Sequence, residues 1–129
     1  MTDLLQAATQ ARALAYAPYS GCKVGAAVKM DETHIFTGSN VENSSFGATV
    51  CAERVAIQKA VSEGAKKITE ILVYTDATPP WPPCGICRQV MAEFSDPNTK
   101  IHLANLTGIV STHLFSELLP HAFQPAHLK

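Results

Sequence analysis

The chain has 129 residues, 47% of them hydrophobic and 16% charged, enough to bury one core and too few for two comfortable domains, so residues 1–129 are expected to form a single domain. A formal net charge of −1, with no basic run, excludes the electrostatic footprint of a nucleic-acid or anionic-membrane binder and suits a small, nearly neutral ligand. No apolar run approaches the roughly 20 residues that span a bilayer, and Asp3 with the interspersed polar residues of MTDLLQAATQARALAY is unlike a secretory leader, so a cytoplasmic protein is expected.

From about Leu4 to Tyr16, apolar residues fall at helical spacing at Leu4, Leu5, Ala8, Ala11, Leu14 and Ala15, and Pro18 closes the run. Val24 to Met30 and Ile35 to Ser39 read as two strands joined through Asp31 to His34. A polar loop through Asn43, Ser44, Ser45 and Gly47 leads to CAERVAIQKAVSEG, a helix that starts near Cys51 and stops at Gly64. Glu70 to Thr75 is β-prone and is followed by the breaker cluster TPPWPPCG. A third helix reaches Phe94 from a start near Cys84 to Cys87, Lys100 to Leu106 forms a further strand, Val110 marks one more, and SELLP makes a short helix before the tail. Strands alternating with helices imply a layered α/β domain.

Four cysteines in a chain with no sign of an oxidising compartment read better as thiolates than as disulfides. Cys84 and Cys87 are one helical turn apart, so both sulfurs can point at one ion while the first-turn amides stabilise their charge. Cys51, at the start of the preceding helix, supplies a third. Three protein ligands leave one zinc position open, the arrangement of catalytic sites, whereas four ligands close it. A structural module with Cys22 as fourth ligand is the alternative; two strands separate Cys22 from Cys51, and no second C-x-x-C pair completes such a finger. A redox dithiol at Cys84 and Cys87 is another, but it leaves Cys51 and Glu53 without a role. None of the five histidines lies in a metal-binding pattern.

Three thiolates and a zinc ion carry net negative charge, which makes water at the metal harder to ionise. Helix N-termini and Arg54, three positions after Cys51, can offset it, the arginine by donating toward sulfur. Glu53, two positions after Cys51, is within reach to take a proton from water and pass it to a substrate nitrogen.

Cys51-Ala52-Glu53 followed by Pro83-Cys84-Gly85-Ile86-Cys87 resembles the three-cysteine version of the zinc deaminase signature. With YAPYS at Tyr16 to Ser20, VGAA at Val24 to Ala27, NVEN at Asn40 to Asn43, PCGICRQV at Pro83 to Val90 and LLPHAF at Leu118 to Phe123, the chain is similar over nearly its whole length to the small homotetrameric zinc-dependent cytidine deaminases. The resemblance implies a three-layer α/β/α fold with a mixed five-stranded sheet. It implies one Zn2+ per chain on Cys51, Cys84 and Cys87, with Glu53 as proton shuttle. The substrate would be a nucleoside, cytidine or 2′-deoxycytidine, converted to the uridine form with release of ammonia in pyrimidine salvage. Asn40 and Glu42 would hold the ribose 3′-hydroxyl, and Phe46 and Phe123 would reach the active site of a neighbouring subunit, Phe123 stacking on the pyrimidine. The family usually has a phenylalanine where this chain has Cys22. Nucleoside-antibiotic deaminases share the P-C-G-x-C-R-Q pattern but have no call for the N-x-E pair. Transfer-RNA adenosine deaminases usually use a histidine ligand and a basic surface, and a deoxycytidylate deaminase needs a phosphate site that the sequence does not display.

Overall fold

Alternating apolar residues on the central strands divide between two faces, as the two-residue period of a strand requires. The computed structural model describes residues 2–128. Its strands are β1 (Gly25–Met30), β2 (His34–Ser39), β3 (Ile68–Tyr74), β4 (Lys100–Asn105) and β5 (Gly108–Leu114), with helices α1 (Thr2–Arg12), α2 (Ala52–Ser62), α3 (Gly85–Phe94) and the short α4 (Phe115–Leu118). Single 3-10 turns cover Phe46–Ala48 and Pro125–Leu128. The strands lie in the order β2-β1-β3-β4-β5. β3 and β4 are parallel and joined by the crossover that carries α3, while every other pair is antiparallel.

Ala26, Val28, Met30, Ile71, Val73, Ile101 and Leu103 face α2 and α3, where they pack with Ala52, Ala56, Ile57, Cys87 and Met91. Ala27, Leu72, Tyr74 and Ala104 face the other way, onto Leu4 and Ala8 of α1. The result is the expected three-layer α/β/α arrangement around a mixed five-stranded sheet.

Two glycines set how closely the helices approach. A Cβ on Gly25 would lie 2.0 Å from the carbonyl oxygen of Ala8, and one on Gly38 would lie 2.5 Å from both the oxygen of Ala52 and the nitrogen of Ala56. Only a residue without a side chain lets α1 rest on β1 and the first turns of α2 rest on β2. Gly38 therefore helps to fix where Cys51 and Glu53 stand. At the far end of α2, Gly64 takes φ +99°, and bonds from Ala65 N to Ala60 O and from Gly64 N to Val61 O close the helix as a left-handed C-terminal cap.

The first helix is shorter than its spacing suggests, ending at Arg12 rather than near Tyr16. Leu14 and Ala15 bond three residues back, and Tyr16 N turns away to Asn40 O while Tyr16 O accepts from Glu42 N. Pairing of Tyr16 with Val41, and of Val41 with Val50, draws the end of this segment and both sides of the 40–50 loop together. Leu14, left without helical neighbours, is exposed.

Candidate active site

Both predicted ligand segments sit where the backbone changes from extended to helical. Cys51 (φ −72°, ψ 155°) immediately precedes α2, and Cys84 (φ −70°, ψ 170°) immediately precedes α3. Cys87 lies in the first turn of α3, buried, and its amide donates to Cys84 Sγ at 3.5 Å. The sulfurs of Cys51, Cys84 and Cys87 all lie within 4.8 Å of one another, and Cys51 and Cys84 are 3.7 Å apart. Tetrahedral zinc with Zn–S bonds of about 2.3 Å separates its sulfurs by about 3.8 Å, so the donor set fits zinc in type and spacing. Cys22 lies outside this cluster, its thiol directed at Ser20 O, 3.6 Å away.

The Cys87 thiol, donating to Cys51, does most to hold the Cys51 thiol down at about 5, with Arg54 and Cys84 adding to the effect against burial. The same contact, and burial, push Cys87 up. One negative charge is thus already favoured among the three sulfurs, and metal binding would displace the remaining protons. Arg54 Nη2 points at Cys51 Sγ (3.7 Å) and at Thr49 O (3.4 Å), so the arginine turns toward the thiolates rather than into solvent. Glu53, only 4% exposed, is pushed up to about 7, chiefly by burial and further by the charge on Cys51.

A cavity of about 410 Å³ is lined by Cys51, Glu53 and Cys84 and also by Asn40 and Glu42. Asn40 Oδ1 accepts from Val24 N (2.8 Å) and its Nδ2 donates to Cys22 O (2.8 Å). Glu42 Oε1 accepts from Tyr19 N (3.0 Å) and Ser20 N (3.1 Å), and Oε2 accepts from the Ser20 hydroxyl. These bonds hold the Glu42 carboxyl below its ordinary range, the Ser20 hydroxyl contributing most. Cys22 also lines this cavity.

The two aromatic candidates lie elsewhere on their own chain. Phe46, 79% exposed, borders an adjoining hollow with Tyr19 and Glu42. Phe123, 56% exposed, stacks on His127 with ring centroids 5.4 Å apart. Sequence reasoning met Trp81 in TPPWPPCG and Ser20 in YAPYS without giving either a role, and both line the cavity. It also passed over the bonds that tie PCGICRQV to the tail: Arg88 donates to Pro83 O and Leu118 O, and Gln89 donates to Phe123 O. The Arg-Gln pair after Cys87 was the available signal.

A three-thiolate set beside a cavity, backed by a buried carboxylate, belongs to zinc enzymes that act on a bound molecule rather than to folds stapled by a closed metal site. Known proteins narrow the class. A family model described as the cytidine and deoxycytidylate deaminase zinc-binding region matches residues 1–103. A cytidine deaminase of Halalkalibacterium halodurans is 50% identical over 120 residues, 93% of this chain and 91% of the relative. One of Sporosarcina psychrophila is 42% identical over 125 residues, 97% and 92% of the two chains. The crystal structure of cytidine deaminase from Burkholderia pseudomallei superposes with a TM-score of 0.89 at 43% identity, covering 95% of this chain and 98% of that one. The chain therefore belongs to the cytidine and deoxycytidylate deaminase family of zinc-binding hydrolases.

Proposed function

We propose that this chain, acting as one domain over residues 1–129, hydrolyses cytidine and 2′-deoxycytidine to uridine and 2′-deoxyuridine with release of ammonia, as a step of pyrimidine salvage. The observation that carries the reading is the one cavity that Glu53, Cys51 and Cys84 share with the Asn40–Glu42 pair, the first group suited to chemistry and the second to a sugar. Cys51, Cys84 and Cys87 would hold one zinc ion, which when bound supplies the Lewis acidity that makes water a nucleophile near neutral pH. Arg54 offsets the thiolate charge. The Glu53 carboxylate takes a proton from the attacking water and returns protons to the ring nitrogen and the departing amine, so that a C–O bond forms at C4, the C–N bond breaks and ammonia leaves. Asn40 and Glu42 pair with the sugar 3′-hydroxyl, which disfavours the free base by leaving those groups unmatched.

A nucleoside is favoured over its monophosphate because neither the cavity nor the adjoining hollow is lined by a lysine or arginine among the described residues, and the Asn40–Glu42 pair carries a carboxylate. Ammonia release from cytidine, 2′-deoxycytidine, cytosine, the monophosphate and adenosine tests the assignment. The two nucleosides should dominate; preferential turnover of cytosine or the monophosphate would overturn it.

The assembly we propose is a homotetramer in which Phe46 and Phe123 of one subunit complete the site of another. Their exposure outside their own cavity supports this. Stacking of a pyrimidine on Phe123 would contribute about 1–3 kcal/mol, so Phe123→Ala should lower efficiency without loss of zinc. Refolding Phe123→Ala chains together with Glu53→Gln chains should raise activity above the parental average, since some sites then combine intact Glu53 with intact Phe123. With subunit exchange verified by mass labels, activity no higher than that average would rule out the shared site. No described helix is long and apolar enough to cross a membrane, and four cysteines outside any disulfide suit the reducing cytoplasm. Recovery of the native chain outside the cytosolic fraction would contradict that location.

A further inference from the structure

Hydrogen-bond capacity at the Asn40–Glu42 pair leads to a residue that the chemistry above does not use. A carboxylate offers about four acceptor positions. On Glu42, Tyr19 N and Ser20 N fill the two of Oε1, and the Ser20 hydroxyl fills one of Oε2. Asn40 has one amide hydrogen committed to Cys22 O and one acceptor position committed to Val24 N. What remains is one acceptor on Glu42 Oε2 and one donor on Asn40 Nδ2, together with a second Asn40 lone pair. A hydroxyl that donates once and accepts once matches the Glu42 and Asn40 remainder.

The direction of the Ser20 bond is fixed by its other partner. Cys22 N, which can only donate, points at Ser20 Oγ from 3.0 Å, so the Ser20 proton is directed at Glu42 Oε2. Ser20 thus both removes one of the two free positions on Oε2 and holds the carboxylate plane through its amide and hydroxyl together. An exposed glutamate without such ties would rotate among rotamers and present two hydrated positions in place of one aimed position.

We propose that Ser20 is a positioning residue, whose hydroxyl and amide hold the Glu42 carboxylate with a single acceptor position directed at the sugar 3′-hydroxyl. The proposal rests on the nucleoside reading above and adds to it the residue that sets discrimination at the 3′ position. The test is the ratio of kcat/KM for deoxycytidine to that for its 3′-deoxy analogue, dideoxycytidine, two substrates that differ only in the 3′-hydroxyl.

In Ser20→Ala this ratio should fall about tenfold, the scale of one lost charge-assisted contact, mainly because deoxycytidine then shows a higher KM. Ser20→Thr, which retains a hydroxyl and the amide, should keep most of the ratio. A merely structural role for Ser20 would lower both substrates alike and leave the ratio where it was. An unchanged ratio in Ser20→Ala, or a loss as large in Ser20→Thr, would overturn the proposal while wild-type turnover of the nucleosides leaves the functional reading standing. A zinc-loaded wild-type chain that turns over neither nucleoside would overturn the functional reading itself, and this inference with it.

Discussion

Glu53→Gln is expected to keep its zinc and its fold and to lose at least about 10²-fold in kcat, the minimum for removing a general acid-base group. The glutamine amide preserves the shape of a side chain that is 4% exposed, so the packing of the first turn of α2 is undisturbed. It cannot accept a proton from water and return it to the ring nitrogen or the leaving amine, and one carboxylate is assigned all of those transfers. Elemental analysis and circular dichroism would separate a chemical defect from a structural one. A well-folded, metal-replete variant turning over within a few-fold of wild type would remove Glu53 from the mechanism.

The second large effect is expected at Cys87, the buried member of the sulfur cluster. Cys87→Ser should lower zinc content sharply and activity with it, and should also lower Tm, because a metal that binds only the folded chain contributes its binding free energy to folding. Cys22→Ser, with its sulfur outside the cluster, should retain zinc. Equal metal loss in the two variants would favour a closed four-thiolate site and count against an open catalytic one.

The cysteines and Glu53 were legible in the sequence because their spacing is local: C-A-E and P-C-x-x-C each lie within a helical turn or so, where spacing translates directly into direction. The end of α2 at Gly64 was equally readable. Asn40 and Glu42 were not readable from spacing, since a polar turn explains N-V-E as well as a sugar site does; only the family resemblance singled them out. Ser20 was missed for a related reason. Its bond to Glu42 joins an exposed and a half-buried loop residue far apart in the chain, and such pairs leave no periodic trace.

The end of α1 was misjudged because apolar spacing continues past Arg12 while the backbone of Tyr16 is drawn to Asn40 and Glu42, a tertiary pull that propensity does not register. β5 was anticipated only around Val110. It spans Gly108–Leu114, an edge strand with exposed or half-buried residues throughout, so it lacks the apolar run that marks a buried strand. Only the family resemblance gives Phe46 and Phe123 a role, because neither lines the cavity of its own chain.

The dependence of cytidine turnover on bound zinc is the most direct measurement. Metal-free chain, prepared with a thiol-directed displacing agent and a chelator, would be returned to zinc in steps while ammonia release from cytidine and bound metal are measured on the same samples. Ammonia release should be absent without metal, rise in proportion to zinc bound, and reach the wild-type rate at one zinc per chain. A verified metal-free chain that releases ammonia from cytidine at the wild-type rate would contradict catalysis at Cys51, Glu53, Cys84 and Cys87.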